Sequence, residues 1–260
     1  MWLVNGVGST CDMSRFKDHF SEHADAYRAH RPTYPVAIFD WLRSLTPSNQ
    51  LAVDVGCGNG QASVALTSYF DRVVAIDPSD AQIRRAETHK RIHYEVSPAE
   101  RIPLTDHVAD LVIAAQAAHW FDLQRFYAEV MRVLRPGGVL AIWCYQTLEL
   151  DHPADAVIRA FYRQKVGAYW PPERHMVDDG YAQWPFPFDE IQAPDFQIRI
   201  QWDLQELLDY IRTWSAVQRF IQDHLHDPTD ELADTLGQCR LGPLIRVRFP
   251  VRMRVGRLMA

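Results

Sequence analysis

Cysteine is sparse: four residues, at 11, 57, 144 and 239, with no C-x-x-C pair among them. That spacing argues against a disulfide framework and against a zinc site, so no metal is expected and a reducing, cytoplasmic setting is the default. Long apolar runs are missing too. None reaches the roughly 18 to 20 residues that a membrane helix requires, so no membrane partner is expected. The short apolar start, Met1 to Thr10, lacks the basic flank of a signal peptide and reads as part of a flexible leader over residues 1–13. Positive charge is in deficit, with 27 Lys and Arg against 33 Asp and Glu and a formal charge of -6. A chain without a positive field is poorly suited to a phosphate backbone, so nucleic acid is not an expected partner. Neither an internal repeat nor a low-complexity tract is visible.

What the chain has is an ordinary globular composition, 47% hydrophobic and 23% charged in 260 residues. That is enough for one large α/β domain or two small ones. Phe16, Phe20, Ala24 and Tyr27 recur at helical spacing until Pro32 and Pro35 interrupt. Pro35 opens a helix with Ile38, Trp41, Leu42 and Leu45 on its inner face. From Leu51 short apolar runs alternate with helices. Strands are expected at 51–55, 73–76, 92–96, 109–115 and 139–145, and helices at 61–69, 79–88 and 123–134. This alternation implies a parallel sheet with right-handed crossovers. Beyond Tyr145 come a helix over 153–166 and an aperiodic stretch from 168 to 187 rich in Trp, Pro, Tyr and Phe. A strand over 196–202 follows, then one long helix from 204 to 221, a shorter one over 231–239, and a strand over 245–258 with arginines on one face. Pro250 inside that last strand implies a bulge or an edge position.

The chemistry concentrates at Asp54-Val55-Gly56-Cys57-Gly58-Asn59-Gly60, between a strand and a helix. Glycines there allow a sharp turn and close approach to a ligand. Asp54 places a carboxylate at the strand end, and a second acid, Asp77, ends the next strand. Its spacing from Gly56 suits an acid that bonds ribose hydroxyls in nucleotide-binding α/β folds. The dinucleotide fingerprint G-x-G-x-x-G is spaced differently, and Asp54 would repel a pyrophosphate. A ligand carrying an ammonium and a sulfonium would welcome that carboxylate.

This stretch resembles the first motif of class I S-adenosylmethionine-dependent methyltransferases, above all the small-molecule type 11 branch near trans-aconitate methyltransferase-like proteins. The resemblance runs from about Phe16 to Arg257. It implies a doubly wound, seven-stranded Rossmann-like α/β sheet whose last strand is antiparallel beside the strand from Phe196. It also implies a lid helix over 14–35, a methyltransferase domain over 36–260, and a helical, aromatic cap insertion at about 151–190. The activity it implies is transfer of a methyl group from S-adenosylmethionine, leaving S-adenosylhomocysteine, to a small-molecule carboxylate or hydroxyl (EC 2.1.1.-). The rival expectation is a non-catalytic methyltransferase-fold binding or partner protein. The chain is expected to be a monomer or a homodimer.

By the same resemblance the cofactor is met by Tyr27, Arg31, Asp54, Gly56, Cys57, Gly58, Asp77, Pro78, Ala99, Glu100 and Gln116. Ala99 would meet the adenine edge through its amide. Pro98 stands where the family often has Asp, and Ser97 or Glu100 would substitute for it. Gln116-Ala117-Ala118-His119-Trp120 resembles the loop near the sulfonium. His119 is the first candidate for a general base, since an ordinary imidazole titrates near neutral pH; Tyr27 or Tyr34 is next. Arg28, Arg31 or Arg174 would anchor an acidic acceptor. Plainer readings stand beside these. His119-Trp120 also suits a packed aromatic pair, Tyr27 and Arg31 suit helix-end packing, and the aromatics of 168–188 suit a cap core roofing the ends of the first and fourth strands. The terminal arginines suit a solvated strand face, and Cys57 a small residue that supplies backbone.

Overall fold

The computed structural model describes residues 32–258. The leader, most of the expected lid helix, and Tyr27, Arg28 and Arg31 lie outside them. Five strands, β1 (Leu51–Val55), β2 (Arg72–Asp77), β3 (Ile92–Val96), β4 (Ala109–Ala115) and β5 (Leu134–Tyr145), pair in parallel in the order β3-β2-β1-β4-β5. The inner strands β1 and β4 are buried throughout because both faces of the central sheet are covered, whereas β3, at the edge, is mostly half-buried. Ile38, Phe39, Leu42, Leu66 and Trp143 belong to the core on one face, and Val53, Val55, Phe126, Val130 and Ile142 to the core on the other.

The covering helices start where local chemistry expects them. Helix α1 (Val36–Leu45) follows Pro35, whose φ of -66° and ψ of 139° end the extended approach. Helix α2 (Gln61–Leu66) follows Gly60, and α3 (Asp80–Arg84) is capped by Ser79. Asp122 accepts the Arg125 N–H (3.3 Å) to cap α4 (Leu123–Val133). The sheet order reverses between β1 and β4, and a crevice outside the carboxyl ends of the strands at such a reversal is where open α/β sheets bind ligands.

The second half wraps the far edge of this sheet. It contains β6 (Glu149–Leu150), α5 (Asp155–Ala160) running into a π-helical turn (Phe161–Lys165), α6 (Arg174–Asp178), β7 (Asp189–Ile191) and β8 (Phe196–Trp202). Then come α7 (Leu204–Arg212), α8 (Ser215–His224), α9 (Thr229–Gly237) and β9 (Ile245–Arg257). Strand β9 is antiparallel to both β5 and β8, as expected. The described residues form nine strands rather than seven, because β9 is longer than either main neighbour. On one side β5 pairs with residues 251–257 and β6 with 247–248. On the other, β8 pairs with 245–251 and β7 with 255–257. The short strands satisfy backbone groups that the long ones leave open.

Three local expectations change. Pro250 is neither at an edge nor in a bulge: its pairing with Gln197 lies in an unbroken register, and it sits opposite the gap between β5 and β6. The missing N–H therefore falls where no ladder partner is lost. The long helix from 204 to 221 is broken at Thr213-Trp214. Trp214 turns extended (ψ 131°) and is buried among Phe161, Tyr162, Trp170 and Tyr210, and burial of a large aromatic outweighs one more helical turn. Nor is the arginine face uniformly solvated. Arg254 donates to Trp184 O (2.6 Å) and pairs with Glu190 (2.8 Å), which ties the aromatic segment to β9.

Candidate active site

The glycine loop after β1 is pinned from beneath. Gly56 N and Cys57 N both donate to Ile76 O, at 2.8 and 3.0 Å, so the loop hangs from β2. All three glycines take positive φ, +70° at Gly56, +54° at Gly58 and +87° at Gly60. Two of them also have no room for a side chain. A Cβ on Gly56 would come within 2.6 Å of Ala117 Cβ, and one on Gly60 would strike the Tyr94 hydroxyl. Gly58 differs: among the described residues nothing lies within 4 Å of that position. The loop is thus packed at both ends and open in its middle, a backbone cradle that a ligand can approach.

Two carboxylates frame this cradle. Asp54 is 1% exposed and accepts from Ser63 Oγ at 2.5 Å. Asp77 accepts Gly58 N–H through Oδ2 (2.9 Å) and Ser79 N–H through Oδ1 (2.8 Å), so it holds the loop as well as facing it. Cys57 lies buried between them. Burial first, then the charges of Asp54 and Asp77, push its thiol well above the usual range, so it stays a neutral filler and no nucleophile. A cradle with two buried acids and an open glycine suits a ligand with a cationic end, which is the charge character of S-adenosylmethionine.

The other expected cofactor residues are gathered at the same end of the sheet. Pro78 is half-buried and Ala99 buried in the turns after β2 and β3. Ser97 donates to Arg101 O (2.7 Å) within its own loop, and Glu100 Oε1 accepts Asp122 N–H (2.8 Å), which ties that loop to the start of α4. Gln116 has φ +57°. Its N–H donates to Trp143 O (2.8 Å) and its Oε1 accepts Tyr145 N–H (2.8 Å), continuing the β4–β5 ladder past its end. Pro32 O accepts from Gln61 Nε2 (3.0 Å), and Tyr34 packs edge-on against Trp143 (5.5 Å). The described part of the N-terminal approach therefore crosses close to the glycine loop.

Beyond the cradle, His119 meets residues that sequence reasoning passed over. Its Nδ1 is 3.0 Å from the hydroxyl of Tyr181, which is 0% exposed. Arg174, foreseen only as one of three arginines, is 18% exposed. Its Nε donates to Tyr162 Oη (2.8 Å) and Asp178 Oδ1 (3.1 Å), and its Nη2 to Thr147 Oγ1 (3.0 Å). The guanidinium lies 5.5 Å from the ring centre of Tyr162 and 4.8 Å from that of Trp170. Tyr162 is carried by the π-helical turn, a device common at functional sites. The aromatic segment thus touches the loops that follow β4 and β5, through His119 and Thr147.

The neutral-range titration expected of His119 is overturned. Burial first, and the field of Arg174 second, lower its pKa from 6.5 to about 3. Between those two values the unfolded chain binds the proton and the folded chain does not, so stability falls as pH drops below 6.5. We expect His119→Gln to remove this slope. Between pH 6.5 and 5 the wild type should lose up to about 2 kcal/mol more than the variant in urea denaturation. Parallel losses in the two proteins would disprove the burial of a neutral imidazole.

Among the described residues no group of three or more His, Cys, Asp and Glu side chains is placed to hold a metal ion, and no helix is long and apolar enough to cross a membrane.

Comparison with known proteins agrees with this geometry. Residues 53–142, from β1 into β5, match the family described as a methyltransferase domain. A Dictyostelium discoideum protein designated a methyltransferase is 34% identical over 249 residues, covering 92% of this chain and 95% of that protein. An uncharacterized methyltransferase of Schizosaccharomyces pombe is 31% identical over 233 residues, covering 81% and 85%. The solved structure of a protein from Anaeromyxobacter dehalogenans, designated a type II methyltransferase, is 44% identical. It covers 88% of this chain and 98% of that one, with a TM-score of 0.84.

Proposed function

The chain belongs to the class I S-adenosylmethionine-dependent methyltransferases, and we propose that it methylates the carboxylate of a small-molecule acid. The observation that carries this reading is the mostly buried Arg174 guanidinium, paired with Asp178 at 3.1 Å, whose field helps to hold the His119 imidazole neutral. A cation enclosed by Tyr162 and Trp170 is matched by an anionic acceptor, and Arg pairs with a carboxylate through its planar fork of N–H groups.

When bound, S-adenosylmethionine supplies an activated methyl group on a positive sulfur. On this reading Asp77 takes the ribose hydroxyls, the Gly56–Gly60 backbone and Asp54 hold the amino-acid end, and Pro78 and the Ala99 amide border the base. Tyr27 and Arg31 are assigned to the same ligand from the N-terminal side by resemblance alone. A carboxylate brings its own electron pair and releases no proton, so the reaction needs alignment and dryness more than a base. This agrees with a histidine whose basicity is suppressed: His119 serves the acceptor as a neutral hydrogen-bonding group. The residues after β4 and β5, roofed by the aromatic segment, keep water from the acceptor.

The test is a panel of small mono- and dicarboxylic acids, phenols and amines incubated with methyl-labelled S-adenosylmethionine. The expected product is a methyl ester whose label is released by mild alkali. Label held only in alkali-stable ether or N-methyl products would overturn the carboxylate reading.

A further inference from the structure

The Tyr181 hydroxyl is held more firmly than packing alone requires. Tyr181 has φ +65°, a left-handed conformation that a bulky residue rarely adopts. The Asp179-Gly180 turn imposes it: Tyr181 N donates to Met176 O and to Asp179 Oδ1, both at 3.0 Å, and Gly180, also at positive φ, lies against the Arg252 side chain. The ring stacks on Trp184 at 4.3 Å and 17°. These restraints deliver the hydroxyl to His119 Nδ1, with the thiol of Cys144 as the other group near it.

The direction of these bonds follows from the donors available. Burial keeps the phenol protonated, so it has one proton to give. The Cys144 thiol directs its own proton to Val177 O (3.5 Å), leaving a sulfur that is a weak acceptor. An unprotonated imidazole nitrogen is much the better acceptor, so the phenol donates to Nδ1. In a neutral imidazole the remaining proton then sits on Nε2, at the far side of the ring from Tyr181. Among the described residues Nε2 has no hydrogen-bond partner.

We propose that Tyr181 is a positioning residue that occupies His119 Nδ1, so that the neutral imidazole presents Nε2–H to the carboxylate of the acceptor. A lone pair on Nε2 would repel that carboxylate; an N–H binds it. The selection of an anionic acceptor is thereby built into the tautomer as well as the guanidinium. This rests on the acceptor reading above, but the tautomer is measured without any acceptor, so it stands or falls apart from the acid panel.

The experiment is long-range proton–nitrogen correlation on protein with labelled histidine, saturated with S-adenosylhomocysteine at pH 7. His119→Asn identifies the His119 signals among the 11 histidines by their loss. The expected wild-type pattern is protonated Nε2 and unprotonated Nδ1, the latter shifted upfield by an accepted hydrogen bond. Tyr181→Phe keeps the stack on Trp184 and removes the donor, so the Nδ1 signal should move downfield toward that of a free imidazole nitrogen, with affinity for S-adenosylhomocysteine within twofold of wild type. A proton on Nδ1 in the wild type overturns the proposal whatever the variant does. An Nδ1 signal unmoved in a folded Tyr181→Phe protein overturns it as well.

Discussion

Asp77→Ala should weaken S-adenosylhomocysteine binding at least tenfold by calorimetry. A carboxylate that takes ribose hydroxyls makes charge-assisted bonds worth roughly 1.5 to 3 kcal/mol each, and 1.4 kcal/mol is already tenfold. The fold adds a second loss. The same carboxylate holds Gly58 N–H and Ser79 N–H, and truncation leaves two backbone donors unsatisfied at the cradle. Each such orphan costs about 1 to 3 kcal/mol where water cannot replace the partner. Thermal stability should therefore fall along with affinity. Asp77→Asn separates the two effects: its carbonyl oxygen can still accept from Ser79, while its amide meets the Gly58 N–H donor to donor. Asn should accordingly recover part of the stability and little of the affinity. Unchanged affinity in a folded Ala variant would remove Asp77 from the cofactor site.

The half of this site that was legible in the sequence is the half made of contiguous residues. Asp54 through Gly60 and Asp77 lie at the ends of adjacent strands, and their spacing along the chain is their spacing in the fold. The partners that complete the cradle come from elsewhere. Tyr94 on β3 fills the place where Gly60 would carry a Cβ, and Ala117 does the same for Gly56 from beyond β4. Nothing in the local sequence of a half-buried tyrosine announces such a role. The proposed acceptor side was only partly legible. Arg174 was one of three arginines offered for it, but Tyr162 and Tyr181 sit in short helices and turns whose burial follows no period, so no hydrophobic pattern separates them from ordinary cap residues. An Asp-Asp-Gly-Tyr turn was readable at 178–181, but its tyrosine in left-handed backbone was not. The break at Trp214 failed to show because the apolar spacing runs straight through it; only the aromatic cluster waiting there explains the turn. Glu100 has a structural task that its position did not announce: its Oε1 accepts the backbone N–H of Asp122.

Arg174→Met carries the largest expected effect on turnover. The guanidinium is mostly buried, and among the described residues its bonds to Tyr162, Asp178 and Thr147 use Nε and Nη2 and leave Nη1 for an acceptor. Loss of one member of a desolvated, hydrogen-bonded charge pair costs about 2 to 5 kcal/mol. For the acid identified in the panel, kcat/KM should thus fall roughly 30- to 4,000-fold. Affinity for S-adenosylhomocysteine should stay within twofold, since the glycine loop, Asp54 and Asp77 are untouched. Folding should survive as well. Met is apolar, of similar length, and packs against Tyr162 and Trp170, while the Asp178 side chain is 38% exposed and remains solvated without its partner. Arg174→Lys restores the charge but not the planar fork, and a lysine cannot reach Tyr162 and Thr147 while also pairing a carboxylate bidentately. Its kcat/KM should lie between the two, with the defect mainly in KM. A Met variant that turns over the same acid as fast as wild type would separate Arg174 from acceptor binding and leave its cation an element of the aromatic core.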